Sequence, residues 1–185
     1  IQCDASSAPA NTGTATITTT CASGVLSVTF ADVTAAGSCT NASTITRTWT
    51  ATDNCSNTET HVQTITIIDN TAPTIVCPSN QSIQSVNGTD GDLADYTSMA
   101  TVSDNCSSIG NVSVTQSPAI GSTHLVGTVQ VTLTATDECG NSDNCTFDVV
   151  ISNTSITWTN EPVNTTIECS DSDLPANTGE ATATT

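Results

Sequence analysis

Lysine is absent from this 185-residue chain, Arg47 is its only arginine, and aromatic residues make up 3% of it. Against 18 acidic residues this leaves a formal net charge of −17. A single cationic side chain makes no basic patch that could neutralise phosphates, which excludes nucleic acid as a partner. Anionic membrane surfaces repel such a chain. No apolar run approaches the roughly 18–20 residues of a membrane span, and no signal peptide opens the sequence. Without lysine there is no Schiff-base chemistry, no lysine isopeptide cross-link and no phosphate-loop lysine.

What is present belongs to β-sheets and turns. Serine and threonine total 61 residues and asparagine 15. Threonine suits a half-exposed pleated surface, whereas Asn and Gly suit turns. Nine cysteines indicate an oxidising, extracellular location in which disulfides supplement thin cores. Zinc is the rival reading. It usually needs close Cys pairs, and the tightest here is Cys139 and Cys145, with only His61 and His124 to add.

The two ends repeat one another. Residues 1–19 (IQCDASSAPANTGTATITT) and 167–185 (IECSDSDLPANTGEATATT) agree at 12 of 19 positions, among them Cys3 and Cys169. A weaker repeat sets TWTATDNCSN (48–57) against TLTATDECGN (132–141), carrying Asp53 onto Asp137 and Cys55 onto Cys139. The expected domains are 1–69, whose first strand is read as incomplete, then 70–153, and 154–185 as the opening of a third that copies the first. The last segment cannot make a sandwich alone, and Ile156 and Trp158 would be left uncovered. Completion by later sequence of a continuous array is expected, with donation to another chain as the alternative.

Period-2 alternation marks the strands. The sets are Leu26, Val28 and Phe30; Ile45, Trp49 and Ala51; Ile65 and Ile67; Val112 and Val114; Val129, Val131, Leu133 and Ala135; Phe147, Val149 and Ile151. Short strands between Gly, Asn, Asp and Pro clusters indicate an all-β chain of tandem immunoglobulin-like sandwiches stapled by disulfides. Arg47 shares the parity of Ile45 and Trp49, so its stem is expected to lie inward and snorkel, with the guanidinium near Trp49 or an acid.

DNTAPTIVCP (69–78), VSDNC (102–106), IGSTHLVGT (120–128) and TATDECGNSDNCTFDVVI (134–151) resemble the hyalin-repeat (HYR) family of extracellular immunoglobulin-like domains. TITRTWTATDNCSN in the first domain resembles companion repeats of large bacterial surface proteins, although that domain has His61 where the second has Cys145. The resemblance implies an adhesive or structural module, not an enzyme.

In an immunoglobulin-like sandwich the cysteine-bearing loops of the second domain meet at one end, which implies Cys77–Cys145 and Cys106–Cys139. The equivalent pair in the first domain is Cys21–Cys55. With His61 replacing the other partner, Cys3 is left with Cys39, and Cys169 is unpaired in this segment. The linker from Asp69 and Asn70 to Pro73 resembles the Asp-Asn-x-Pro linkers of cadherins, and the same topology places Asp104, Asn105, Asp137 and Glu138 beside it. Calcium takes six to eight oxygens, largely carboxylate and carbonyl. Asp69, Asp104 and Asp137 are the leading expected ligands, with Asn70, Asn105 and Glu138 secondary. The competing reading is that these residues only shape turns. Bound calcium would lock the first interdomain angle. Asn153-Thr154-Ser155 at the second junction lacks Asp and Pro and should bind less well.

Catalytic constellations are weak. Neither histidine sits in a triad context, with His124 expected in a loop, and Asp90, Asp92 and Asp95 fall in a polar run that reads as a solvated loop. No organic cofactor is called for. Nine N-x-S/T sequons only modestly exceed chance. The expected function is a repeat module of an extracellular fibre or cell-surface stalk, partnered by neighbouring repeats and kept soluble by its charge. The alternative is a binding module for a surface glycan or protein ligand.

Overall fold

The structure, a computed structural model, describes residues 1–18, 26–86 and 88–153, with the backbone of Thr157–Asn160 and Thr182–Thr184. Apart from one α-helical turn, α1 (Pro9–Thr12), and two 3-10 turns, the described elements are strands. The chain divides into two compact units: Ile1–Pro78 with Tyr96–Gln116 and Thr132–Thr146, and Ser79–Asp95 with Ser117–Val131 and Phe147–Thr185.

In the first unit, β1 (Ser27–Ala36), β2 (Ser43–Thr52) and β3 (Thr58–Ile67) form an antiparallel sheet in that order. Phe30 lies opposite Trp49 and Trp49 opposite His61, while Asp32, Arg47 and Gln63 form the next row on that face. Alternation buries Ile45, Arg47 and Trp49 on β2 and Ile65 on β3. The opposite face carries Thr44, Thr46, Thr48 and Thr50 beside Thr60, Thr64 and Thr66. Part of the threonine surplus thus goes to a sheet surface.

Arg47 points inward with its guanidinium beside an acid and Trp49, as expected, but the head is buried rather than snorkelling to solvent. It is 1% exposed, and its Nε and Nη2 each donate at 2.8 Å to the Asp32 carboxylate. It also donates to Ser7 O and Thr12 Oγ1, and lies 4.5 Å from the Phe30 ring centroid. Gln63 Nε2 donates to Thr12 O, so the α1 segment is held over this face.

Further along, β4 (Thr74–Val76) pairs with β7 (Thr101–Ser103), setting Ile75 opposite Val102. A four-stranded sheet runs β5 (Gln81–Ser85), β11 (Ser142–Asn153), β10 (Gly127–Thr136), β8 (Ser113–Ser117). Pairing of β5 with β11 is parallel, with Ile83 opposite Ile151. Among the described residues of the second unit the buried apolar ones are Leu93, Val131, Phe147, Val149 and Ile151. The run expected as a loop is partly strand. β6 (Asp90–Asp92) pairs with β9 (Thr123–Leu125), which also takes His124 out of its expected loop. Gly91 packs closely there, since a Cβ would come within 3.1 Å of Ile151 Cγ2 and 3.3 Å of Ile83 Cδ1 and the two side chains would have to shift. β12 (Thr157–Asn160) pairs with β13 (Thr182–Thr184).

Disulfides join Cys77 to Cys145, Cys3 to Cys106 and Cys39 to Cys139. The last two replace the expected Cys106–Cys139 and Cys3–Cys39. Gln2 forms a parallel bridge with Ile68, which carries Cys3 past the end of β3 to the loop after β7, 5.9 Å from Cys106 between Cα atoms. Cys39 sits in the turn closed by Gly37 and Ala42 and comes within 5.1 Å of Cys139. Both separations lie in the range a disulfide requires. Cys55 is disulfide-bonded. The expected Cys21 partner, Cys169, Ile156 and the Trp158 side chain lie outside the described residues.

Candidate metal centre

Asp69, Asp104 and Asp137 are separated by 35 and 33 residues, yet each offers a carboxylate oxygen within 4.8 Å of the other two. Strand parity explains the convergence. Ile65, Ile67 and Asp69 point one way along β3 and its extension; Val131, Leu133, Ala135 and Asp137 do so along β10; Val102 precedes Asp104 on β7. Each Asp is thus the first inward position beyond its strand, and Asp69 and Asp137 are 8% and 6% exposed.

Each carboxylate also organises its own loop. Asp137 Oδ1 accepts from Cys139 N and Asn141 N, and Oδ2 from Asn141 Nδ2. Asp104 Oδ1 accepts from Cys106 N and Ser107 N. Asp69 Oδ1 accepts from Thr71 N and, at 3.4 Å, from Gln2 Nε2. That accounts for one oxygen of Asp69 and Asp104 as a turn former. Their Oδ2 atoms are buried with no hydrogen-bond partner. An anionic oxygen in that position is costly unless a cation or proton meets it.

The electrostatics agree. Burial pushes the Asp69 carboxyl above its ordinary value, against the Thr71 N–H that lowers it, and the charges of Asp104, Asp137 and Asp4 add to the rise. The chain's one arginine is committed to Asp32 and offers this cluster no counter-charge.

The secondary candidates are placed differently. Asn70 and Asn105 are exposed, and Asn105 Nδ2 lies 4.0 Å from Cys3 Sγ. Glu138 is half-buried and its Oε2 accepts from Asn41 Nδ2, which also donates to Ser107 Oγ. The sequence reading missed Asp4 and Asn41. Asp4 carried a signal only through its bond to Cys3, whose true partner was not foreseen.

The 48–57 and 132–141 repeat has a structural counterpart. Asp53 Oδ1 accepts from Cys55 N and Asn57 N, and Oδ2 from Asn57 Nδ2, as at Asp137. Ser56 and the aligned Gly140 both have positive φ, 64° and 89°. The Asp53 carboxyl is held below its ordinary range by Asn57 and by the loop amides. A separate cavity of about 520 Å³ opens near Trp49, lined by Ile17, Val28, Ala51, Asp53 and His61 among others. His124 Nε2 lies 3.0 Å from Ser122 Oγ, and Asp92 Oδ1 accepts from Thr123 Oγ1. No described helix is long and apolar enough to cross a membrane.

Among curated proteins none matches the sequence. Solved structures with similarity include protocadherin gammaB7 EC3-6, a cis-dimer, at 12% identity and a TM-score of 0.34, over 75% of this chain and 45% of that one. Human CDH23 EC21-23 gives 12% identity and 0.31, over 63% and 47%. The human desmocollin-1 ectodomain gives 14% and 0.27, over 75% and 36%. The match spans less than half the length of each. Residues 68–151 match the HYR domain family, and Asp69, Asp104 and Asp137 all fall inside that stretch.

Proposed function

We propose that this chain is a calcium-binding structural module of an adhesive extracellular fibre or surface stalk, built as tandem domains over 1–69, 70–153 and 154–185. The observation that carries the reading is the group of three carboxylates from separate loops, two of which retain a buried oxygen without a partner. Carboxylate oxygens favour a hard cation, and calcium tolerates the irregular geometry of loop ligands. Asp69, Asp104 and Asp137 would hold the ion, and bound calcium would neutralise the repulsion among them. The role is mechanical rather than catalytic. Cys3–Cys106 and Cys39–Cys139 already tie residues before Asp69 to residues after it within one compact unit. Calcium therefore adds stability to an existing clamp more than it fixes a loose hinge.

Calorimetric titration of the chelated chain with calcium chloride tests the reading. Saturable binding lost in Asp69→Ala supports it, and no heat beyond dilution overturns it. The cavity beside Trp49 favours a second reading, capture of a glycan or protein ligand, which a glycan-array hit lost on altering Trp49 would support.

A further inference from the structure

The Cys3–Cys106 bridge lies against the carboxylate group. Cys3 Sγ, Cys106 Sγ and an Asp69 carboxylate oxygen fall within 4.8 Å of one another, so Asp69 belongs to both clusters. Cys106 follows the Asp104 loop by two residues, and its own N–H holds Asp104 Oδ1. On the other side of the bridge, Gln2 donates to Asp69 Oδ1 and to Thr71 Oγ1, while Asp4 follows Cys3 and is exposed. The bridge therefore fastens a short segment, with a carboxylate at its end, to the rim of the site.

Resting on the calcium reading above, we propose that the Cys3–Cys106 disulfide is a positioning element of the cation site, presenting Asp4 as a fourth, outer carboxylate, so that calcium affinity and the redox state of this bridge are linked. The buried Asp69 and Asp104 oxygens without hydrogen-bond partners supply the inner contacts. Asp4 remains exposed and acts from the outer side. Its backbone directly follows Cys3, whose Sγ lies within 4.8 Å of an Asp69 carboxylate oxygen. Reduction by dithiothreitol gives two thiols, with two electrons and two protons taken up as the reagent closes to its cyclic disulfide. The Gln2–Asp4 segment is then released from the 104–106 loop. Linkage is reciprocal: if the bridge favours calcium, calcium protects the bridge.

Calcium titration of the parent chain, Asp4→Asn, Asp4→Glu and the double variant Cys3→Ser/Cys106→Ser tests this, with the equilibrium between bridge and dithiols in dithiothreitol buffers measured with and without saturating calcium. The expected results are about tenfold weaker binding in Asp4→Asn and in the double variant, recovery in Asp4→Glu, and a reduction equilibrium shifted about tenfold toward the disulfide by calcium. Asp4→Asn keeps the bridge, so it reports even where the double variant misfolds. Parent-like affinity in Asp4→Asn, with calcium-independent reduction, overturns the inference. A parent that binds no calcium overturns the reading of the site itself, and this inference with it.

Discussion

At Asp69 the two carboxylate oxygens differ, with Oδ1 setting a turn and Oδ2 buried without a hydrogen-bond partner. Because its pKa is raised on folding, the metal-free folded state binds this proton more tightly than the unfolded chain does. Ionised Asp69 therefore costs stability above its raised pKa, and the cost is relieved as pH falls through that value. Asp32 and Asp53 have the opposite sign. Both are lowered, by the Arg47 side chain and by Asn57 respectively, so their stabilising contribution holds above the ordinary Asp range and is lost below it. The metal-free chain should gain stability from neutral pH down toward the ordinary carboxylate range and lose it below. A thermal-melt series in chelator checks this. Asp69→Asn should melt higher than the parent in chelator. On the calcium reading it should also lose the calcium-dependent gain, which for the parent would be about 2.7 kcal/mol at a hundredfold excess over Kd. Asp69, Asp104 and Asp137 were legible in the sequence through the Asp69–Pro73 linker and the loops expected at the same end of the second domain. That each is the first inward position beyond its strand is seen only in the structure. Asp4 was not legible, since its position depends on a disulfide between residues 103 apart.

Among the elements, strands with two-residue alternation were readable, and β2, β3, β10 and β11 carry the alternating apolar sets where expected. The Asp53 and Asp137 loops were readable as a pair because a carboxylate two residues before a cysteine amide closes the same turn in both. The three-residue strands β6 and β9 were not, since Asp-Gly-Asp has no apolar period and gains its order only from pairing. Nor was the parallel pairing of β5 with β11, a long-range choice without a local sequence signal. Packing makes these elements testable. Leu133→Ala, at a fully buried position of β10, should cost about 2–5 kcal/mol in chemical denaturation. Gly91→Ala should cost about 1–3 kcal/mol, because its methyl group meets Ile151 and Ile83. A β6 that tolerates Ala without loss would show that this close approach is not kept in solution.

For the whole molecule the three bridges between described residues are interlaced in sequence, each crossing the other two. Their pairing was not readable because domains expected to be self-contained were assigned self-contained bridges, whereas Gln2 runs beside Ile68 and delivers Cys3 to a loop beyond it. Non-reducing peptic mapping should recover Cys3 linked to Cys106 and Cys39 linked to Cys139, and a Cys106–Cys139 peptide would contradict the connectivity. Cys39→Ser/Cys139→Ser should cost about 2–5 kcal/mol in unfolding free energy.

Interlacing also sets how far the chain can be stretched. Between Cys3 and Cys145 an uncrosslinked chain could pay out about 500 Å at ~3.5 Å per residue. With the bridges closed, tension passes from Cys3 to Cys106, back along 29 residues to Cys77, and across to Cys145. That path extends only about 100 Å. In single-molecule pulling the oxidised chain should give a contour-length gain for this stretch roughly one-fifth that of the reduced chain. Beyond that extension the load falls on covalent bonds, so a fibre of such modules would behave as a tether with a hard stop rather than as an unravelling spring.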